Sequence, residues 1–172
     1  AFGLQNREQA DPASSEDPVH LAGGLRLRGS IDLVERAPDG RLRATDHKTG
    51  KVRAERGFVI GGGKTLQPVL YALAAESVLK EPVHFGRLYY CTAAGGYEER
   101  IVQINDAARA AAHNFADIVN TALESGFLPA APAKDECVWC DYRRVCGPYE
   151  ERRVAIKPAP RLASLKRLRE IR

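Results

Sequence analysis

The strongest constraint on the fold is a turn signal, Pro38-Asp39-Gly40, which separates two runs of alternating apolar and polar residues. Proline presets the backbone for a turn, and aspartate and glycine are favoured at turn positions. The flanking runs, Ser30 to Ala37 and Arg41 to Lys48, therefore predict two antiparallel strands joined by a three-residue turn. If the turn is centred near Asp39, the numbers of paired residues sum to about 78, so the turn also predicts the register.

Periodic hydrophobic patterns predict further strands and helices on both sides of this hairpin. In chain order, the elements are a strand over Val19 to Arg28 with a break at Gly23-Gly24, the two hairpin strands, a helix capped by Thr65, strands over His84 to Thr92 and Tyr97 to Ile104, a helix capped by Asn105 and ended by Gly126, and a short basic amphipathic helix that contains Leu162, Leu165, Leu168 and Ile171. The first three strands are expected to form an antiparallel meander, with Ile31, Leu33 and Val34 facing inward. The order β-β-β-α-β-β-α predicts an α/β fold in which helices flank a mixed sheet.

Length and composition predict a folded domain. The 172 residues are 44% hydrophobic and 28% charged, which supplies enough apolar material for a buried core and excludes disorder as the main state. No apolar run approaches the roughly 20 residues that span a bilayer, and the N-terminus has no secretion signal. We therefore expect a cytoplasmic protein that does not contact membranes. The net charge of +4 permits nucleic-acid binding without requiring it.

Composition shifts along the chain predict four segments. Residues 1–18 are expected to be a linker or the remnant of an upstream region, 19–128 the core, 129–150 a cysteine-cluster segment and 151–172 a basic C-terminal tail. The sequence begins with Ala1 and contains no Met, which predicts that it is a piece of a longer protein.

The run Gly61-Gly62-Gly63-Lys64-Thr65 invites comparison with a phosphate-binding loop. That motif requires G-x-x-x-x-G-K-S/T, and Phe58 stands where the first glycine is needed. The run is therefore interpreted as a flexible loop ahead of a helix.

Asp32 and Asp46 are the first candidates for a functional site. Their numbers sum to 78, so the predicted register places the two carboxylates directly opposite each other, roughly 5 Å apart at Cβ. Like charges so placed repel, whereas a divalent cation bound by both removes the penalty. Lys48 lies two residues after Asp46 and therefore on the same face of the strand. The pattern predicts a divalent-cation site with an ammonium group beside it.

This combination is suited to the hydrolysis of a phosphodiester. A divalent cation polarises the phosphoryl oxygen and generates hydroxide, and a lysine stabilises developing negative charge or positions the attacking water. Gln67 and Tyr71 lie four residues apart and share one face of the predicted helix. The alternatives are a surface hairpin with scattered charges and, for Gln67 and Tyr71, an ordinary half-exposed helix surface.

Three ordered motifs resemble a known family. Gly29-Ser30-Ile31-Asp32, Thr45-Asp46-His47-Lys48-Thr49-Gly50 and Gln67-Pro68-Val69-Leu70-Tyr71 are similar to the pattern G-x-(I/V)-D, D-x-K-T/S-G and Q-x-x-x-Y of the RecB-type branch of the PD-(D/E)XK nucleases. That branch includes the RecB and AddB nuclease domains and the CRISPR-associated iron–sulfur exonucleases. The resemblance runs from about Arg28 to Pro148 and implies a restriction-endonuclease-like fold.

Carried over by position, the resemblance implies roles for four residues of the hairpin. Asp32 and Asp46 resemble the ligands of a Mg²⁺ or Mn²⁺ ion, and the main-chain carbonyl of His47 resembles a further ligand. Lys48 resembles the catalytic lysine. The resemblance therefore implies that both strands contribute to a single metal-dependent active site.

On the predicted helix, Gln67 and Tyr71 resemble the pair that orients water, the metal shell or DNA. The family also has an earlier helix that bears a His or Glu metal ligand. This sequence starts too late to show that helix, and Glu8 and His20 are the only nearby stand-ins for its ligand.

A cysteine cluster predicts a second metal site near the C-terminus. Cys137, Cys140 and Cys146 follow the pattern C-x-x-C-x5-C, and a fourth thiolate would complete a zinc or iron–sulfur site. The resemblance implies a [4Fe–4S] cluster whose fourth cysteine lies before Ala1, with zinc as the alternative. Cys91, in the middle of a predicted strand, is interpreted as a buried structural thiol.

Together, the residues and the resemblance predict a metal-dependent deoxyribonuclease. The resemblance implies an exonuclease domain of a RecB/AddB-like DNA repair and recombination protein, which acts on single-stranded DNA ends in the bacterial cytoplasm with a helicase domain or subunit as partner. Two alternatives stay open: a catalytically inactive DNA-binding or scaffold domain with the same fold, and a zinc-binding interaction module in which the hairpin carboxylates are incidental.

Overall fold

A computed structural model describes residues 1–4, 11–130, 132, 136–146 and 149–172, in which four strands, a helix, two further strands and four helices follow in chain order. The strands are β1 (Val19–His20), β2 (Arg26–Leu27), β3 (Leu33–Arg36), β4 (Leu42–Lys48), β5 (Val83–Tyr90) and β6 (Glu99–Gln103). The helices are α1 (Gln67–Leu79), α2 (Asp106–Glu124), α3 (Arg143–Cys146), α4 (Glu150–Ala155) and α5 (Ala163–Glu170). Short 3-10 turns lie at Gly61–Gly63, Ala93–Gly95, Glu136–Trp139 and Ala159–Leu162.

One mixed sheet contains four strands in the order β3-β4-β5-β6. β3 is antiparallel to β4, β4 is parallel to β5, and β5 is antiparallel to β6. Parallel neighbours cannot be joined by a tight turn, so α1 forms the crossover between β4 and β5. The predicted α/β fold with a mixed sheet flanked by helices is confirmed.

The hairpin has the register that its turn predicts. Arg36 pairs with Leu42, the two numbers sum to 78, and the ladder continues in this register to Leu33 and Thr45. Because side chains alternate across a strand, Asp46 lies on the same face of β4 as buried Leu42. This is the face against which α1 packs.

α1 approaches the sheet closely because of a glycine in β5. Val69 and Ala72 of α1 are fully buried, and Ala44 of β4 is 1% exposed. A Cβ atom built on Gly86 would lie 2.0 Å from the carbonyl oxygen of Pro68 in the first turn of the helix. Glycine within a strand is typical of such a close backbone approach. Gly86 therefore sets the distance between β5 and the beginning of α1.

α2 packs against α1 and α5 through small side chains, which let the helices approach closely. Its buried alanines are Ala108, Ala111, Ala112 and Ala116. The predicted cap is confirmed, since the side chain of Asn105 accepts a hydrogen bond of 3.0 Å from the N–H of Ala108. Gly126 follows the helix with φ of +63°, the left-handed conformation that ends many helices. Among the helices that the structure describes, none is long and apolar enough to cross a membrane.

The prediction that Val19 to Arg28 forms the first strand of a meander is wrong. Gly23 and Gly24 have φ of +96° and +85°, and the chain reverses there. β1 and β2 consequently pair with each other in a separate two-stranded sheet. Glycine reaches this left-handed backbone readily because it has no Cβ atom.

Two further predictions about side chains are wrong. Thr65 does not cap α1, because the capping position is Leu66 and no side chain makes a capping hydrogen bond there. Leu33 and Val34, expected to face inward, are 39% and 37% exposed. β3 is an edge strand, and a cavity of about 480 Å³ between it and α1 leaves these side chains incompletely covered.

The C-terminal segment returns to the loop that precedes α1. The main-chain carbonyl of Arg172 accepts hydrogen bonds from the N–H groups of Val59 at 2.9 Å and Ile60 at 2.7 Å. The carbonyl of Ile171 accepts one from Gly62 at 2.8 Å. α5 also packs on this loop, so the loop is held on one side by the sheet and on the other by the C-terminal residues.

Candidate active site

Asp32 and Asp46 lie at the same end of the hairpin. When the register of β3 and β4 is extended one residue beyond Leu33, Asp32 stands opposite Asp46. The main-chain N–H of His47 donates a hydrogen bond of 2.7 Å to Asp32 Oδ2, which fixes that carboxylate against β4. Asp46 is only 7% exposed, whereas 44% of the Asp32 side chain is exposed. The structure thus brings the two predicted carboxylates to one place, one buried and one at the surface.

The ammonium group of Lys48 lies beside the buried carboxylate. Lys48 Nζ is 2.7 Å from Asp46 Oδ2, and the lysine side chain is 35% exposed. This contact is an ion pair, and no other donor among the described residues is directed at the same oxygen. Buried carboxylate oxygens are normally hydrogen-bonded. Asp46 Oδ2 therefore has a charged neighbour and still has unused acceptor capacity.

These oxygens fit a small divalent cation. Mg²⁺ is usually held by one or two carboxylates, with waters and substrate phosphates as its other ligands, rather than by a complete cage of side chains. Asp32 and Asp46 supply the two carboxylates, and the unsatisfied Asp46 oxygen is the atom such an ion would use. Within the described part of the chain, no group of three or more His, Cys, Asp or Glu side chains is arranged around a common point.

Tyr71 of α1 is close enough to the carboxylates to be affected by their charge. Burial raises the pKa of Tyr71 above its ordinary value of 10.0, and the charges of Asp46 and Asp32 raise it further, against a smaller opposing effect of Lys48. The hydroxyl therefore stays protonated at neutral pH and can donate a hydrogen bond. The structure places Tyr71 with the predicted site.

Gln67 begins α1 and lies near Lys48. Both residues line one cavity of about 280 Å³. An amide both donates and accepts hydrogen bonds, so Gln67 can contact either water or a phosphate oxygen. Five of the predicted site residues, the two carboxylates, the lysine and the helix pair, are thus adjacent.

The side chain of His47 points away from the buried carboxylate. It is exposed, its Nδ1 lies 3.7 Å from Asp32 Oδ2, and its ring packs edge-on against Tyr89 at 5.9 Å. A role for its main-chain carbonyl stays a prediction. Of the two stand-ins for an additional ligand, His20 is exposed in β1, outside the four-stranded sheet, and Glu8 lies outside the described residues.

The cysteine cluster does not form a closed metal site in the described part of the chain. Cys137 lies in the 3-10 turn at Glu136–Trp139, Cys140 follows that turn, and Cys146 ends α3. Cys91 is half-buried, and its thiol donates to the carbonyl of Lys48 at 3.6 Å. Cys91 was predicted to be a buried structural thiol; it is only half-buried, and its structural role stays a prediction.

Two residues that position the site were missed at the level of sequence. Because Gly86 has no side chain, the first turn of α1, which begins with Gln67, can lie close to β5. The signal in the sequence was a glycine inside a strand pattern. Tyr90 is buried, and its hydroxyl accepts hydrogen bonds from the N–H groups of Arg53 at 3.3 Å and Ala54 at 3.2 Å. No sequence signal distinguishes Tyr90 from the other aromatic residues of its strand.

Comparison with known proteins gives one family. The family model of the PD-(D/E)XK nuclease superfamily matches residues 2–147, which is most of the chain. The comparisons with curated proteins and with solved structures found no match. The matched span contains the whole mixed sheet and both strands of the hairpin. The chain therefore belongs to the PD-(D/E)XK nuclease superfamily, whose members are generally phosphodiester hydrolases that act on nucleic acids.

Proposed function

We propose that this domain is a Mg²⁺- or Mn²⁺-dependent deoxyribonuclease whose active site contains Asp32, Asp46 and Lys48. One observation carries the proposal. Asp46 Oδ2 is buried 2.7 Å from Lys48 Nζ, no other donor among the described residues is directed at it, and Asp32 stands opposite. The single charge of Lys48 offsets one of two adjacent carboxylates, and a divalent cation bound by both would offset their remaining repulsion.

In this mechanism each side chain has a defined task. Asp32 and Asp46 would hold the metal ion, with the main-chain carbonyl of His47 as a further ligand. Such an ion would supply Lewis-acid polarisation of a phosphoryl oxygen and of water. Lys48 stabilises the negative charge that develops on the phosphoryl group or orients the attacking water. The protonated hydroxyl of Tyr71 donates a hydrogen bond into the site.

The motifs support a finer assignment. We propose an exonuclease domain of a RecB/AddB-like DNA repair and recombination protein, with single-stranded DNA ends as substrate, a helicase domain or subunit as partner and the cytoplasm as location. Within it, 19–128 is the nuclease core, 1–18 a linker or upstream remnant, and 151–172 a basic tail. This proposal is supported by the three family motifs, which are all present and in the expected order.

The cysteine segment at 129–150 is part of the same proposal. Cys137, Cys140 and Cys146 would supply three ligands of a [4Fe–4S] cluster, with zinc as the alternative metal. Three cysteines within ten residues support a shared metal, because thiolates at such spacing are common in iron–sulfur and zinc sites. Absorbance near 400 nm after anaerobic purification would indicate the iron–sulfur cluster rather than zinc.

A catalytically inactive DNA-binding domain of the same fold is the second candidate. The observation in its favour is that the described residues contain only two carboxylates at the site and no third acidic or histidine ligand. Cleavage separates the two candidates.

The test is degradation of end-labelled single- and double-stranded DNA with Mg²⁺, with Mn²⁺ and with EDTA. We expect wild-type protein to cleave with metal and not with EDTA, and Asp46→Asn to be inactive. Asp117→Asn, which removes an exposed carboxylate from α2, is the matched control and keeps activity. Full DNA binding by wild type without cleavage in either metal would favour the inactive domain instead.

A further inference from the structure

A positively charged cavity adjoins the candidate active site. It has a volume of about 280 Å³, and its lining includes four cationic side chains and no acidic one among the described residues: Lys48, Lys51, Arg53 and Lys64. Its inner wall is apolar, since Leu88 and Tyr90 are 2% and 4% exposed. The cavity is slightly smaller than the roughly 300–1,000 Å³ of small-molecule sites, so it suits one nucleotide unit rather than a duplex.

Three of these cations have no carboxylate partner in the described part of the chain. Lys51, Arg53 and Lys64 form no ion pair with any described residue. Elsewhere on the sheet the arrangement differs, because Arg43 and Arg87 each lie 2.7 Å from an oxygen of Glu35. A group of unneutralised cations in a concave site concentrates positive potential and attracts an anion.

The chain segment after β4 is held in place by hydrogen bonds from β5 and the residues that follow it. The Tyr90 hydroxyl accepts from the N–H groups of Arg53 and Ala54, at 3.3 and 3.2 Å. The Thr92 hydroxyl donates to the carbonyl of Thr49 at 2.8 Å. These contacts fix the backbone that carries Lys51 and Arg53.

The segment that carries Lys64 is fixed in a similar way. The N–H of Lys64 donates to the carbonyl of Gly61 at 3.1 Å, and the N–H of Thr65 donates to the carbonyl of Ile60 at 3.1 Å. Ile60 is in turn bound to the carbonyl of Arg172. Lys64 therefore lies on a loop that hydrogen bonds hold in place. Both segments that supply cations to the cavity are thus preformed.

We propose that this cavity binds a second phosphate of the nucleic-acid strand, next to the phosphate that is cleaved. Lys48 and Gln67 line the cavity and also belong to the candidate active site, so a phosphate held here adjoins the scissile one. Ammonium and guanidinium groups make charge-assisted hydrogen bonds with phosphate oxygens, and phosphate contacts position a strand without reading its sequence. The inference rests on the proposed nuclease function.

The bound phosphate has two possible sources on one strand. An internal phosphodiester carries a single negative charge, whereas a terminal phosphate monoester carries about −1.5 to −2 at pH 7. Both offer the same oxygens to the cations. The source is decided by comparing strands that end in a 5′-phosphate, in a 3′-phosphate or in hydroxyl groups only.

The test compares two double variants that lose the same charge. Lys51→Ala/Lys64→Ala removes cavity cations, and Arg26→Ala/Lys166→Ala removes exposed cations from β2 and α5, outside the cavity. Equilibrium binding of labelled single-stranded oligonucleotides is measured in EDTA over a range of salt concentrations, which requires no catalysis. We expect the cavity variant to bind about tenfold more weakly than the control. The slope of the logarithm of the binding constant against the logarithm of the salt concentration should be smaller in magnitude by about 0.7.

In the cleavage assay we expect the same variant to raise KM by a similar factor and to leave kcat nearly unchanged, because it removes binding rather than chemistry. Lys51→Arg/Lys64→Arg should restore binding. If the cavity variant binds only the strands with a terminal phosphate more weakly, the cavity binds the phosphate at a strand end. If it binds all three strands more weakly to the same degree, the cavity binds an internal phosphodiester.

Cavity and control variants that bind equally would overturn the inference, even if the wild type is an active nuclease. If wild type binds but does not cleave, a selective defect of the cavity variant still supports phosphate binding while the proposed nuclease function fails. Melting temperatures of both variants within about 2 °C of wild type confirm that folding is unchanged, as is usual for exposed substitutions.

Discussion

In the proposed mechanism, Lys48 is the residue on which the chemistry depends most directly. Its ammonium lies against buried Asp46 and also lines the basic cavity, so it would connect the proposed metal-binding carboxylates with the substrate phosphates. We expect Lys48→Ala to lower the cleavage rate about 10²–10³-fold, which corresponds to about 2.7–4 kcal/mol of transition-state stabilisation. Metal binding and single-stranded DNA binding should persist, because lysine is not a metal ligand and supplies one phosphate contact among several.

The measurement is Mn²⁺-dependent degradation of end-labelled DNA, together with a binding isotherm at fixed salt. Lys64→Ala serves as a comparison, since it removes a cation of the same cavity that does not contact Asp46. Cleavage by Lys48→Ala at the wild-type rate would remove Lys48 from the mechanism.

The paired aspartates make a second prediction at the residue scale. A ligand that binds only the folded protein at 100 times its Kd stabilises it by about 2.7 kcal/mol, or about 5–10 °C in melting temperature for a domain of this size. We expect millimolar Mn²⁺ to produce a shift of this kind, and Asp32→Asn or Asp46→Asn to abolish it. Differential scanning fluorimetry with and without EDTA makes the measurement, and an unchanged shift in the Asp32→Asn/Asp46→Asn variant would contradict a shared site.

At the scale of elements, the junction between α1 and β5 depends on the absence of one side chain. A Cβ atom on Gly86 would lie 2.0 Å from the Pro68 oxygen and 2.4 Å from its carbonyl carbon, and backbone atoms cannot rotate away. We expect Gly86→Ala to destabilise the fold by about 3 kcal/mol, the upper end for overpacking, by forcing the first turn of α1 off the sheet. Gln67 moves with that turn, so activity should fall even where the variant is fully folded.

Urea unfolding measures the loss of stability, and activity is compared at a temperature where circular dichroism shows a folded variant. Gly50→Ala is the matched control for stability, because Gly50 has ordinary backbone angles and a methyl group added there would meet no atom within 4 Å. Equal stability of the two variants would show that α1 adjusts without strain.

Glu76 joins three elements. Its oxygens accept hydrogen bonds from the Arg109 guanidinium of α2 at 2.6 and 2.7 Å and from the N–H of Val83, where β5 begins, at 2.9 Å. Burial acts to raise the pKa of Glu76, but the hydrogen bonds from Arg109 and Val83 outweigh it, and the pKa lies below the ordinary 4.5. A lowered folded pKa means that the ionised group stabilises the protein above pH 4.5 and loses this effect as the pH falls through the folded value.

We therefore expect Glu76→Gln to be less stable than wild type by about 1 kcal/mol at pH 7, with the difference shrinking as the pH falls below 4.5. Urea unfolding at pH 7, 5, 4 and 3 gives the difference directly. Glu55→Gln, an exposed substitution without an ion pair among the described residues, should show no such trend. A constant difference for Glu76→Gln at all pH values would contradict the ionic origin of the contact.

At the scale of the whole molecule, the parts of the fold that follow from local rules were predictable. The Pro38-Asp39-Gly40 turn specifies the register, and with it the opposition of Asp32 and Asp46. The register set by the turn is consistent with the alternation of apolar and polar residues in the two flanking strands. The mixed sheet also follows from the pattern, since a helix between two strands makes a parallel crossover available. The reversal at Gly23 was not predictable in the same way, because two glycines inside a strand-like run indicate a bulge as readily as a turn.

The basic cavity was not predictable because it depends on tertiary structure. Lys51, Arg53 and Lys64 lie in the one connection between β4 and α1, and they line a common cavity because Tyr90 of β5 and the C-terminal residues fix the path of this connection. The overall net charge of +4 is modest and gives no indication of this local excess. Nor does periodicity indicate that Gly86 must lack a side chain, since that requirement arises from the packing of a helix that begins near residue 67.

The position of β3 at the edge of the sheet has a consequence for hydrogen exchange. Asp32 immediately precedes β3, whose only neighbour in the sheet is β4, whereas Asp46 lies in a strand paired on both sides. Edge elements with few buried contacts open locally at a lower free energy than the core of the same protein. Amide protons of Leu33–Arg36 should therefore exchange with deuterium faster than those of Val83–Tyr90, and Mn²⁺ should slow the first set selectively. Opening of one short strand would then release the metal while the remainder of the domain stays folded.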